Sequence, residues 1–222
     1  MLAFIVSGCA TYTTPGGNVE LNLLADEDIN SLMSKQPAAN FPANLAVARI
    51  QSTGYSNYQL SSYGQGKFSV VISRDVESEE DFSQIAKLSN IAGVAPLNKL
   101  FLPTKLDSIK SLRLAAARLK ADILMLYTFD TSFHVGAQKY GPLNVISLGF
   151  LNNKEINVIT TVTAAFFDVR TEYLYGISEA TAKQRKWGSV WGTGAVVDDL
   201  RVLTEKRHLR VYFPKSKNRG KV

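Results

Sequence analysis

Few residues in this chain can do covalent or acid–base chemistry, and their spacing limits what each can do. Cys9 is the only cysteine, so no intramolecular disulfide can form. His134 and His208 are the only histidines, which nearly excludes a zinc site of His and Cys and leaves carboxylate sites open. Gly176-Ile177-Ser178-Glu179-Ala180 approaches the G-x-S-x-G of a nucleophile elbow but lacks the second glycine. It also falls in an expected strand, whereas the elbow is a strand-to-helix turn. Gly192-Thr193-Gly194 gives part of a G-x-G-x-x-G pattern without the last glycine or a βαβ context, so a dinucleotide site is rejected. Asp75, Glu77, Glu79, Glu80 and Asp81 cluster acids, which a solvated helix start explains without catalysis. No spacing fits a metal or phosphate site, and no cofactor is expected.

The elements that would position such groups centre on Leu106 to Phe133. Leu106, Ile109, Leu112, Ala116 and Leu119 recur at helical spacing and form one apolar stripe. Ala121-Asp122 breaks that pattern, and Ile123 to Tyr127 follows as an unbroken apolar run, which suits a strand covered on both faces. Before it, Leu45 to Ile50 and Phe68 to Ile72 read as strands, and Ser78 as the N-cap of a helix with an acidic first turn. Val94 to Leu102 reads as a short strand and a turn. Glu155 to Arg170 alternates Ile156, Val158, Val162, Ala164 and Phe166 onto one face. Arg170-Thr171-Glu172 is the expected hairpin turn, with Tyr173 to Ala182 returning as its partner. A last helix is expected through Val196, Val197, Leu200 and Leu203. The fold class is therefore α+β, a mixed and largely antiparallel sheet with helices packed on it in one compact domain.

Length and composition agree with that. The 222 residues can bury a single core, and 45% hydrophobic content with 10% aromatics is that of a globular chain. The net charge of +6 is a property of the C-terminus. After Glu205 there are seven Lys and Arg and no acid, which leaves the rest at −1. Lys215, Lys217, Arg219 and Lys221 are the candidate polyanion-binding residues. Stacking aromatics are confined to Tyr212 and Phe213 there, so nucleic acid is the weaker partner. Were the chain an exported protein, anionic head groups or cell-wall polymers would be the more accessible partners. Tyr55, Tyr58 and Tyr63 lie in a polar Ser/Gly/Asn/Gln stretch and are candidate partner contacts, against a plainer reading in which they fold back on the domain. Leu143 to Leu151 is apolar but nine residues long, so it reads as a strand, a short helix or a membrane-touching flap.

Leu2 to Val6 is a short apolar run, followed by Ser7, Gly8 and Cys9. The order Val6-Ser7-Gly8-Cys9 resembles the lipobox of bacterial lipoproteins, which takes an aliphatic residue, two small ones and the acylated cysteine. No Lys or Arg precedes the run and it is short for a signal core, as expected of a trimmed signal or a start placed downstream of the true one. The resemblance implies lipid on Cys9, and Ala10 in the next position implies the periplasmic face of the outer membrane. Residues 1–9 then form a partial signal peptide and 10–40 a tether with about 100 Å of reach. Residues 41–205 form the domain and 206–222 a basic tail.

Further pieces resemble the periplasmic lipoproteins related to the curli-secretion lipoprotein and to the lipoprotein activator of penicillin-binding proteins. These are the opening FPANLAVARIQ strand, the ARLKADILMLYTF helix-to-strand step, and FFDVRTEYLYG, which looks like the family's "DxRTGE" hairpin with Glu172 where the turn glycine is usual. The uncharacterised rhombotarget or rhombotail lipoproteins are similar too. The resemblance implies an α+β domain with a binding or assembly role in the cell envelope and no catalysis. Pore formation would need long amphipathic hairpins, which the sequence does not obviously contain. The alternatives from other classes are a soluble hydrolase using Ser178 or the acidic residues, and polyanion binding through the basic tail.

Overall fold

The computed structural model describes residues 11–13, 29–53, 62–72, 76–138, 154–188 and 201–206. Its frame is an eight-stranded mixed sheet, whose main path runs β10-β9-β8-β2-β5-β3. The strands are β1 (Thr11–Thr13), β2 (Ala43–Gln51), β3 (Ser62–Tyr63), β5 (Ser69–Val71), β6 (Ile91–Pro96), β8 (Ile123–Gln138), β9 (Lys154–Asp168) and β10 (Leu174–Gly188). β4 (Gln65–Gly66) and β7 (Lys105–Leu106) make a separate small pair. The helices are α1 (Ile29–Ser34), α2 (Glu79–Ala86) and α3 (Lys110–Arg118), with helical residues 201–206 near the C-terminus.

Pairing in the sheet is parallel at β2–β6 and β2–β8 and antiparallel elsewhere. β2 pairs in parallel with both β6 and β8, and α2 and α3 lie in the connections. β8, β9 and β10 follow one another as antiparallel neighbours. The expected α+β class with a mixed, largely antiparallel sheet is what is found.

Side-chain alternation sorts the core into two layers. Ala46, Ala48, Ile50, Leu124, Leu126, Ala165 and Phe167 pack on Leu112, Ala115 and Ala116 of α3. Leu45, Val47, Met125, Tyr127, Phe129 and Val162 lie on the other face, with Ile85 and Phe82 of α2. Ile123 to Tyr127 is buried throughout, as its two-sided apolar run requires. α2 begins where expected: the Ser78 hydroxyl accepts from the Asp81 N–H while Asp81 accepts from the Ser78 N–H, a capping box. α3 ends at Leu119 because Lys120 takes φ +58°, the left-handed conformation that closes a helix.

Two expectations change. The strand read as Ile123 to Tyr127 continues to Gln138 and the return strand reaches Gly188, so β8, β9 and β10 are 16, 15 and 15 residues long. Long antiparallel hairpins are therefore present. Thr11–Thr13, placed in a free tether by sequence, instead pairs antiparallel with Ser132–His134. A three-residue polar segment carries no hydrophobic pattern, and β8 supplies its pairing from outside.

Candidate functional site

Three constellations of polar side chains stand out among the described residues. The first is a buried charge cluster on the α2 face of the sheet. Arg49, on β2, projects beside Tyr127 and Phe129, and its guanidinium carbon lies 4.5 Å from the Phe129 ring centroid. The Glu77 carboxylate stands 3.5 Å away and that of Glu205 3.4 Å away. Glu205 also accepts from Arg201 at 2.9 Å, one helical turn earlier, and from the Thr131 hydroxyl at 3.1 Å. Tyr127 donates to Glu77 at 2.6 Å. Arg49, Arg201 and Glu205 are at most 3% exposed. Opposite charges at this burial hold one another in place of water, and removal of either is costly.

A cleft of about 80 Å³ opens beside this cluster, lined in part by Arg49, Glu77, Tyr127, Pro96 and Asn98. Sequence alone places Glu77 in a solvated acidic helix start. The structure corrects this: Glu77 precedes the helix and is 8% exposed, whereas Glu79 and Glu80 are exposed as expected. The residue that decides the difference is Arg49, a lone cation inside an apolar strand.

The second constellation is built on Asp168, the first residue of the Asp-x-Arg-Thr hairpin. Its Oδ2 accepts from the Ala38 and Ala39 N–H groups at 2.7 and 2.8 Å and from the Tyr175 hydroxyl at 2.9 Å. Its Oδ1 accepts from the Arg170 and Thr171 N–H groups at 2.9 and 3.0 Å. Burial raises the Asp168 pKa, but these donors outweigh it and the net shift is downward. Tyr175 is pushed up by burial and by its bond to the Asp168 carboxylate. From α3, Arg113 donates to the carbonyls of Val169 and Arg170 and pairs with Glu172 at 2.6 Å. Lys35 reaches Glu172 at 3.4 Å. This turn therefore fastens residues 35–39 to the domain. The expected tether over 10–40 holds one strand in the sheet and one docked end, so 100 Å of free reach is withdrawn.

The third lies at the far end of the β8–β10 ladder, where Thr11 pairs with His134, His134 with Asn157, and Asn157 with Arg185. Lys183 and Arg185 are exposed there, as is Trp187.

The candidates from sequence are not gathered in one place. Ser178 is exposed in mid-strand, opposite Ala164 and in the same row as Tyr127. His134 is seven residues further along β8, about 23 Å at strand rise, so Ser178 and His134 cannot act on one substrate bond. Tyr63 packs against the core and donates its hydroxyl to the Leu102 carbonyl at 3.2 Å, which fits the folded-back reading rather than partner contact. Val6, Ser7, Gly8, Cys9, Tyr55, Tyr58, Asp75, Leu143 to Leu151, Gly192 to Gly194, His208, Lys215, Lys217, Arg219 and Lys221 lie outside the described residues. Among the described residues no three His, Cys, Asp or Glu side chains gather as a metal site, and no helix is long and apolar enough to cross a membrane.

No protein-family model matches the chain, and no curated protein matches it. Solved structures with partial likeness include a lipoprotein, GNA1162 of Neisseria meningitidis, at 13% identity over 72% of this chain and 99% of that chain, with a TM-score of 0.33. A dodecameric PelC variant from Paraburkholderia phytofirmans is 13% identical over 89% of this chain and 97% of that chain, with a TM-score of 0.31. The hypothetical protein CT253 from Chlamydia trachomatis is 14% identical over 76% of this chain and 91% of that chain, with a TM-score of 0.32. Overlaps this loose carry nothing of function to the present chain.

Proposed function

We propose that the chain is a lipoprotein, acylated on Cys9, that works by binding another envelope component at the periplasmic face of the outer membrane. The observation that carries this reading is the sole cysteine closing Val6-Ser7-Gly8-Cys9, two residues before a strand that joins the sheet. A lipid at that position anchors the domain close to the membrane instead of on a long free tether. Several acyl chains, at about 0.8 kcal/mol per buried CH₂, hold such a protein stably. The partner is an envelope protein or a cell-wall polymer, and no cofactor takes part. Intact-mass analysis and membrane fractionation of the full gene product, wild type beside Cys9→Ser, test the reading. The expected result is an acyl mass increment and membrane association, both lost in the variant. An unmodified Cys9 in a protein recovered away from membranes would overturn it.

A further inference from the structure

The far end of the β8–β10 ladder combines three properties that share one geometric origin. β1 pairs antiparallel to β8 with Thr11 opposite His134, so the chain enters β1 from the Gln138 end of β8. Two residues span about 7 Å at most, so a group on Cys9 stays within roughly that distance of Thr11 and this end of the ladder. In the same rows β10 carries Lys183, Arg185 and Trp187 at period two, which puts all three on one face of the sheet. That face is the exposed one: Ile159, the β9 partner of Lys183, is 36% exposed, and Trp187 is 39% exposed on the edge strand. The acid among the described residues of these rows is Glu155, which Arg185 already pairs at 2.8 Å. This end of the sheet thus sets cationic side chains beside exposed apolar ones.

Lysines on an edge strand also guard against strand addition. That role does not call for an exposed tryptophan. Tryptophan with neighbouring Lys and Arg is what a membrane–water interface selects: the indole settles at headgroup level and the cations face lipid phosphates.

We infer that Lys183, Arg185 and Trp187 form a headgroup-contacting surface, which lays this end of the sheet on anionic glycerophospholipids of the leaflet that holds the anchor. The inference rests on the acylation reading for Cys9. Anchor and surface lie at one end of the ladder, so the lipid fixes where the domain sits and the β10 end fixes how it is oriented. The long axis of β8–β10 then points away from the membrane, and the Asp168 turn is at the distal pole.

The test uses the full acylated chain carrying Trp191→Phe, which leaves Trp187 as the one tryptophan, in vesicles of phosphatidylethanolamine and phosphatidylglycerol with brominated acyl chains. Trp187 emission is expected to shift to the blue and to be quenched at least twofold. The combined variant Lys183→Gln/Arg185→Gln should lose most of that quenching at unchanged acyl mass, and full quenching in it would overturn the headgroup contact. Neutralising the tail through Lys215→Gln, Lys217→Gln, Arg219→Gln and Lys221→Gln should leave the quenching intact. An acylated, vesicle-bound chain whose Trp187 is unquenched overturns the surface and leaves the anchor standing. Should Cys9 prove unmodified by mass, the same chain is added to the vesicles from solution. Salt-sensitive quenching of Trp187 then upholds the surface without the anchor, and its absence removes both.

Discussion

Arg49 and Glu205, 156 residues apart in sequence, meet at 3.4 Å with both side chains almost wholly buried. Their contact ties the third-from-last residue of β2, at the centre of the sheet, to helical residues 201–206, and Arg201 braces the same carboxylate. The cluster belongs to the core layer on the α2 side, so it acts on stability first. Its cleft gives Glu77 and Tyr127 a route to the surface, but the charges there are matched within the protein.

Glu205→Gln removes the carboxylate that both guanidiniums share, leaving buried positive charge under-compensated. The expected loss is about 3–5 kcal/mol, read as a lower urea midpoint at unchanged m-value. Replacing Arg49, Arg201 and Glu205 together with apolar residues, with Glu77→Gln so that no buried carboxylate is left unpaired, should cost clearly less than Glu205→Gln alone. A Glu205→Gln loss under about 1 kcal/mol would mean that helix 201–206 is not locked to the sheet by this contact.

Asp168→Asn should release residues 38–39 from the hairpin. An amide NH₂ in place of either carboxylate oxygen can only donate, so the backbone N–H groups that point at it lose their acceptor. The expected cost at pH 7 is about 1–3 kcal/mol. Its pH dependence follows from the lowered pKa. A carboxylate depressed below its ordinary 3.8 contributes stability that is present above that value and is lost as pH falls through the folded-state pKa. Wild type and Asp168→Asn should therefore differ most near neutrality and converge once the pH has fallen below the folded-state pKa, itself under 3.8, in urea unfolding. A constant difference across that range would contradict the assignment.

How far the sequence reveals this molecule depends on whether a residue's partner is near it. Ser78 with Asp81, and Ile123 to Tyr127 as a buried run, are legible because spacing alone determines capping and two-sided burial. The extension of β8 past Tyr127 is written in Phe129, Thr131 and Phe133 as period two, but the polar residues between them mask it. Thr11–Thr13 cannot be read as a strand, since its pairing partner lies beyond residue 130. Glu77 looks like one more surface acid because nothing local shows that Arg49 will be opposite it. The Asp168 turn is marked by its motif, yet the docking of Ala38 and Ala39 on it is not.

Gly66→Ala probes the small β4–β7 pair that joins the loop strands to the start of α3. Gly66 has φ +129°, and a Cβ there would sit 2.6 Å from the Leu106 carbonyl oxygen and 2.6 Å from Asp107 Oδ1. Backbone on one side cannot yield as a side chain does, so strain in this conformation should cost about 1–3 kcal/mol. The loss should appear as faster hydrogen exchange at the Gln65 and Lys67 amides, which donate to the Thr104 and Leu106 carbonyls, with the β8–β9 ladder protected. An unchanged exchange pattern would show that this pair does not hold the loop.

Glu172 faces two opposing demands, which a substitution series can separate. It adopts φ +63°, where a non-glycine residue is strained, yet its carboxylate binds Arg113 at 2.6 Å and Lys35 at 3.4 Å. Glu172→Gly relieves roughly 1 kcal/mol of backbone strain and forfeits both ion pairs, which at this half-buried site are worth a similar amount. Glu172→Asn loses the pairs while tolerating the conformation, and Glu172→Ala loses the pairs and keeps the strain. Thermal midpoints should therefore rank Ala lowest, Asn above it, and Gly close to wild type. Raising NaCl to about 1 M should narrow the gap between wild type and Gly or reverse it, because salt weakens the ion pairs and leaves the strain untouched. If Ala instead matches wild type, the Arg113 and Lys35 pairs do not contribute measurably to the turn, and if Gly matches Ala the strain does not.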